Sequence, residues 1–215
     1  MSTSTLTGRT CLVTGATSGH GLGVARDLAR RDAELWLLAR NPAKASRVCD
    51  ELQRLSPSKR RPEVLQADLG SRADVDRAAD TFLQNQRPLH LLVNNAGLVS
   101  LRREETEDGV ERVLGVNYLA LVQLTMRLLP RLQQTGTADD PARVVNVSSD
   151  MHRMVRLDLD DLELRHRYSW WRSYGQSKLA IVYFTRELAR RLGHPAPGDA
   201  TVVVNAVDPG PVRSG

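Results

Sequence analysis

Six short apolar runs alternate with five stretches whose apolar residues recur at helical spacing, and this rhythm narrows the accessible folds more than any single motif. The runs are TCLVTG (10–15), ELWLLAR (34–40), EVLQADL (63–69), LHLLVNNAG (89–97), ARVVNVSS (142–149) and ATVVVNAVDPG (200–210). Most are continuous rather than alternating, as strands buried on both faces of a parallel sheet are. Helical patterns over 21–31, 43–55, 71–86, 107–134 and 174–192 connect them. Parallel strands cannot be joined by tight turns, so successive βα units need right-handed crossovers whose helices cover both faces of the sheet. The expected architecture is α/β, a doubly wound (Rossmann) parallel sheet. A chain of 215 residues supports one sizeable core, so 1–215 reads as a single domain. Two loops break the rhythm, at 134–143 and at 150–172. Ligands of such sheets sit beyond the carboxyl ends of the strands, and the longer loop leaves the sheet on that edge.

Composition removes several function classes. Cys11 and Cys49 are the only cysteines and no His/Cys cluster has zinc spacing, which argues for a reducing compartment and against a disulfide or metal framework. The N-terminus MSTSTLTGRT lacks the charged and apolar regions of a signal peptide. No apolar stretch approaches the roughly 18 residues that span a bilayer, so the expectation is a soluble, cytoplasmic protein with no membrane partner. The net charge of +5 is spread along the chain among 25 acidic residues, and KRR (59–61) is the single basic run. With aromatic residues at 4%, the patch-with-aromatics pattern of nucleic-acid binders is missing. A mildly basic surface suits an anionic cofactor equally well.

The first strand runs through TGATSGHGLG (14–23) into a helix. The spacing is G-x-x-x-G-x-G, two residues longer than the G-x-G-x-x-G fingerprint between its first pair, but the same physics holds. Gly15 permits a tight turn, Gly19 and Gly21 let the backbone approach a pyrophosphate, and the helix end offers unpaired N–H groups. The other reading is a glycine-rich turn without a ligand. At the end of the second strand, where a carboxylate would bind a ribose 2′-hydroxyl, stand Ala39 and Arg40. A guanidinium favours a 2′-phosphate, hence NADP over NAD, unless Arg40 is only a solvated strand end. After the third strand, Asp68 is placed either to accept the adenine amino group or to cap the helix starting near Ser71. Near the C-terminal side, SYGQSKLA (173–180) sets Tyr174 four residues before Lys178. Only three of the 30 basic residues are Lys, so this position reads as one that needs a compact ammonium, or else as an ordinary solvated helix residue.

TGATSGHG, NNAG (94–97), GVNYLA with Asn117, VVNVSS ending at Ser149, YGQSK and DPGPVRS resemble, in that order, the successive motifs of the short-chain dehydrogenase/reductase family. The resemblance covers essentially the whole chain and looks most like the retinol dehydrogenase and carbonyl-reductase-like branch. It implies a nicotinamide-dependent oxidoreductase interconverting an alcohol and a ketone or aldehyde, on a lipophilic or aromatic small molecule. In that case Tyr174 is the acid that protonates the carbonyl oxygen. Lys178, one helical turn on, would lower the tyrosine's pKa: an ammonium about 6 Å away at an effective dielectric of about 20 is worth roughly 2.8 kcal/mol, or about two units. The resemblance also has Lys178 hold the nicotinamide ribose, Ser149 hydrogen-bond the substrate oxygen, and Asn117 hold a proton-relaying water. It extends the cofactor-binding set to Thr17, Ser18, Leu22, Leu69, Asn95, Ala96, Gly97, Pro209, Gly210 and Val212, with Tyr174 and Lys178 shared between the two roles.

This chain departs from the pattern in places. His20 stands where isoleucine is usual and either reaches a phosphate or is merely tolerated, and Ser214 replaces a usual threonine. Strand alternation lets only one of Ser148 and Ser149 face the site; the resemblance selects Ser149. A dinucleotide-binding regulator without turnover, or an inactive fragment, is the alternative reading, although a pure binder needs neither Tyr174 nor Ser149. The chain stops at DPGPVRSG, where members of this branch continue through a substrate-covering segment and a seventh strand. The expectation is a portion of a longer protein, truncated after the sixth strand, with poor turnover and with an apolar edge, TVVVNAV, that favours association as a homo-oligomer.

Overall fold

The computed structural model describes residues 5–193 and 201–210. Six strands are present: β1 (Thr10–Thr14), β2 (Glu34–Ala39), β3 (Glu63–Gln66), β4 (Leu91–Asn94), β5 (Ala142–Val147) and β6 (Val202–Val207). They form one sheet in the order β3-β2-β1-β4-β5-β6, and every neighbouring pair is parallel. The helices are α1 (Gly19–Arg30), α2 (Pro42–Leu55), α3 (Arg72–Gln84), α4 (Arg112–Leu114), α5 (Ala120–Thr135) and α6 (Trp170–Arg191). A π-helical turn, Gly115–Leu119, joins α4 to α5.

Side-chain alternation divides the sheet's apolar residues between two cores. Cys11, Val13, Leu35 and Leu37 point toward α1 and α2, where Leu28, Val48 and Leu52 meet them. Leu12, Trp36, Leu38, Leu92 and Val144 point the other way, onto α3, α5 and Leu188 of α6. There the Phe82 ring stands edge-on to Trp36 with centroids 5.1 Å apart, an arrangement matched to the ring quadrupoles. Burial on both faces is what made the strands read as continuous apolar runs.

The structure revises several expected boundaries. The fourth helix was expected over 107–134 but starts at Arg112. Residues before it form a turn closed by the Thr106 N–H on the Val110 carbonyl, with Gly109 at φ +75°. Glu111, 1% exposed, ends that turn by accepting the Val113 and Leu114 N–H groups in its own carboxylate. The last helix begins at Trp170 rather than 174, so Tyr174 lies in its second turn, and a 3₁₀ turn at Asp150–Met154 occupies part of the expected loop. The stretch Arg112–Thr135 has, by length and composition, what a membrane-crossing helix needs, contrary to the expectation that no run comes close. More than half of it is buried, with Leu124, Leu128 and Leu132 in the core.

Candidate functional site

The chain leaves β1 toward α1 on one face and leaves β4 toward α4 and α5 on the other, so a crevice opens at their carboxyl ends. Thr14, the last residue of β1, ties its walls together. Its hydroxyl accepts the backbone N–H groups of Asn95 and Ala96, each at 3.0 Å, and lies 3.4 Å from the Val93 carbonyl to which it donates. The Asn95 amide returns the contact by donating to the Thr14 carbonyl at 3.0 Å. Gly15 follows at φ +67°, and a Cβ there would come within 2.9 Å of Ala96 Cα, so the turn excludes a side chain.

Beyond the turn lies a cavity of about 620 Å³ lined by Gly15, Thr17, Ser18 and Gly19 on one side and by Asn95, Ala96 and Gly97 on the other. Arg40, Asp68 and Leu69 close its far end. Arg40 Nη1 is 3.5 Å from Asp68 Oδ2, both side chains substantially exposed, so this ion pair is weak and easily exchanged. Asp68 Oδ1 accepts the Gly70 N–H. Asp68 is not the cap of α3, which is Ser71, whose hydroxyl accepts from Asp74 N. Ser18 opens α1 without a side-chain cap bond and the first turn carries no acidic residue, so that helix end is left to an anion.

Two expected cofactor residues, Gly21 and Leu22, pack behind the turn. A Cβ on Gly21 would lie 2.4 Å from the Gly15 carbonyl oxygen and 2.4 Å from Asn95 Nδ2, so the packing of α1 against the turn requires glycine here. Leu22 packs into the core beneath α1 and α2. Neither lines the cavity.

A second cavity, of about 350 Å³, shares His20, Asn95, Gly97 and Leu98 with the first, so the two form one crevice. Ser149, Tyr174, Lys178, Asp208, Pro209 and Gly210 line it. Ser149 lines this cavity beside Tyr174, its hydroxyl accepting the Met151 N–H, whereas Ser148 is buried and donates to the Lys178 carbonyl. The Lys178 ammonium, 3% exposed, donates to the Val147 carbonyl at 2.8 Å and sits 5.5 Å from the centre of the Tyr174 ring. Gly97 lies beside it: a Cβ there would stand 3.5 Å from Lys178 Nζ, an ordinary contact distance. Val212 lies outside the described residues, as does Ser214.

The expected electrostatics change. Burial pushes the Tyr174 phenol up, with Ser149 pulling it down by a hydrogen bond and Asp208 and Asp150 pushing it further up. Burial lowers Lys178 to about 8. Desolvation, and not the mutual attraction of the pair, is the largest influence on both groups.

Asn117, placed by resemblance among the catalytic residues, lines neither cavity. It sits fully buried in the π turn, where Oδ1 accepts from Leu98 N at 2.8 Å and Nδ2 donates to the Leu98 carbonyl and to Ser177 Oγ. Ser177 Oγ in turn donates to the Tyr174 carbonyl. Asn117 therefore braces the Gly97–Leu98 wall against the helix that carries Tyr174 and Lys178. Sequence reading also missed Thr14, Glu111 and Ser173, whose hydroxyl bonds the buried Glu111 carboxylate and pins α6 beside α4. It missed the Glu105–Glu107 rim of the first cavity as well, although Asp108–Gly109 is a turn signal.

A family model described as short chain dehydrogenase matches residues 9–215. Human polyprenol dehydrogenase is 37% identical over 206 residues, covering 96% of this chain and 61% of that protein. Human retinol dehydrogenase 12 is 39% identical over 209 residues, covering 97% and 63%. The chain thus spans somewhat under two thirds of the length of these relatives. Among solved structures, the Pseudomonas aeruginosa RhlG/NADP active-site complex superposes with a TM-score of 0.75 at 28% identity, over 97% of this chain and 75% of that one.

Replacing Thr14 by Val keeps the side chain's shape and removes the acceptor for two amides. The expected cost is about 2 kcal/mol or more of stability, from buried N–H groups left unpaired. Urea unfolding of the two proteins measures it, and equal midpoints would show that the Thr14 hydroxyl does not hold the crevice.

Proposed function

The chain belongs to the short-chain dehydrogenase family, in its retinol dehydrogenase-like branch, and from that premise we propose that it binds NADP and interconverts an alcohol and a carbonyl on a lipophilic small molecule. The observation that carries the reading is one continuous crevice with Arg40 at one end and Ser149, Tyr174 and Lys178 at the other. Its residues fit an extended dinucleotide. The uncapped head of α1 suits the diphosphate, and the guanidinium of Arg40 suits a 2′-phosphate. The complex of the related RhlG with NADP supports the cofactor, and the alcohols in the names of the relatives support a lipophilic substrate. Val99, 48% exposed on the wall of the second cavity, offers such a substrate an apolar contact.

When bound, the reduced cofactor supplies a hydride to the carbonyl carbon. The protein's part is the proton. Tyr174 donates it to the carbonyl oxygen, Ser149 hydrogen-bonds the same oxygen and holds it in line, and the Lys178 ammonium stabilises the phenolate left behind. A phenol pushed up by burial keeps its proton at neutral pH, which suits reduction.

Three outcomes test this. Tyr174→Phe keeps the ring and removes the proton, so ketone reduction should fall about a hundredfold or more while NADPH affinity holds, measured by loss of the reduced cofactor's absorbance. Unchanged turnover would exclude Tyr174 as the donor.

A second outcome concerns pH. Lys178 is charged below about 8 and neutral above it, so turnover at saturating NADPH should be level through neutrality and decline above about pH 8. Lys178→Arg, which cannot lose its charge, should remove that decline.

In Arg40→Asp, the lost cation and the added carboxylate both oppose a 2′-phosphate, so NADPH should bind about tenfold or more weakly while NADH improves. Fluorescence titration with both cofactors decides it; an unchanged preference would move selectivity to another cation such as Lys44.

A further inference from the structure

His20 stands where the two cavities meet. Of the four residues that line both, Asn95 has its amide engaged with Thr14, Gly97 has no side chain, and Leu98 is apolar. His20 alone brings a titratable side chain to the junction. Its ring is partly exposed and has no hydrogen bond or ion pair with any described residue. It rides on the first turn of α1, which carries no carboxylate that could claim it. A cation at a helix N-terminus is unfavourable unless an anion is bound there too.

Resting on the cofactor reading above, we propose that His20 is a cofactor-binding residue that grips the dinucleotide's diphosphate as an imidazolium, so that the cofactor binds together with a proton. An adenosine portion in the larger cavity and a nicotinamide in the smaller would place their linking diphosphate at this junction. An imidazolium there gives a charge-assisted hydrogen bond to a phosphate oxygen, and a neutral imidazole gives a weaker one. The sign follows: a ligand that prefers the protonated ring binds more tightly as pH falls.

The charged and titratable groups facing the crevice from other elements are Arg40 after β2, Asp68 after β3, Glu105 and Glu107 before α4, Arg112 on α4, Tyr174 and Lys178 on α6, and Asp208 after β6. All of them remain in a His20 variant, so their contribution to any pH dependence, that of Lys178 included, is common to both proteins and cancels in a comparison.

The experiment is calorimetric titration of the wild-type protein, His20→Gln and His20→Lys with NADPH at pH 8 and pH 6, in two buffers of different ionisation enthalpy. Between those pH values the wild-type affinity should strengthen about tenfold more than that of His20→Gln, with greater proton uptake on binding in wild type. His20→Lys, a permanent cation, should bind tightly at both pH values and so report a correctly folded site. Equal pH slopes and equal proton uptake in wild type and His20→Gln, with both binding, would overturn the role of His20 and leave the cofactor reading intact. No binding of NADPH by any of the three at either pH would overturn the cofactor reading, and the role of His20 with it.

Discussion

The crevice between β1 and β4 depends on a connection the backbone cannot make for itself. Sheet hydrogen bonds end where the two strands part toward opposite helix layers, leaving amide groups at the rim with no strand to pair with. The Thr14 hydroxyl takes two of them, and the Asn95 side chain completes the bridge in the other direction. Everything on the rim inherits its position from this bridge. Gly15 has to turn where Ala96 leaves no room for a Cβ, and Gly21 packs α1 onto the Gly15 carbonyl. The orientation of the α1 head, and with it the larger cavity, follows.

Beneath the smaller cavity a buried polar chain crosses the sheet from one helix to another. Thr125 of α5 accepts from Asn94 of β4, Asn94 donates to Asn146 of β5, and Asn146 donates to Thr185 of α6. Such bonds add only about 1 kcal/mol each when made and cost more when broken, so they act chiefly to select one register of helix against sheet. Ser148 and Lys178 make the next contacts along α6, through the Lys178 carbonyl and the Val147 carbonyl. The Lys178 ammonium is thus placed by a hydrogen bond that involves neither a ligand nor Tyr174.

Burial moves the two groups in opposite directions. The phenol is pushed up and the ammonium down to about 8, so the desolvation that hides the pair from water also weakens the hold of each on its charge. The i, i+4 spacing brings Lys178 close to Tyr174 but does not set this desolvation. Depth below the surface is a property of the packed protein, and no spacing encodes it.

The strands and their parallel order were legible because burial on both faces writes itself as continuous apolar runs, and the helices because one face of each must be apolar. Gly15 was legible because a tight turn at a strand end admits little else, and the Tyr174–Lys178 spacing because four residues make one helical turn. Tertiary structure decided matters that rest on residues far apart in the chain. Glu111 could be recognised as a buried cap only once Ser173 lay against it, and Asn117 as a brace only once Leu98 and Ser177 lay on either side. Gly21 turned out to serve packing because Asn95, far along the chain, fills the space beside it. Local pattern reports what a residue requires of its own backbone and face. Which groups satisfy a buried polar atom, and whether a glycine yields to a ligand or to a neighbouring strand, is set by long-range contacts that form when the sheet assembles.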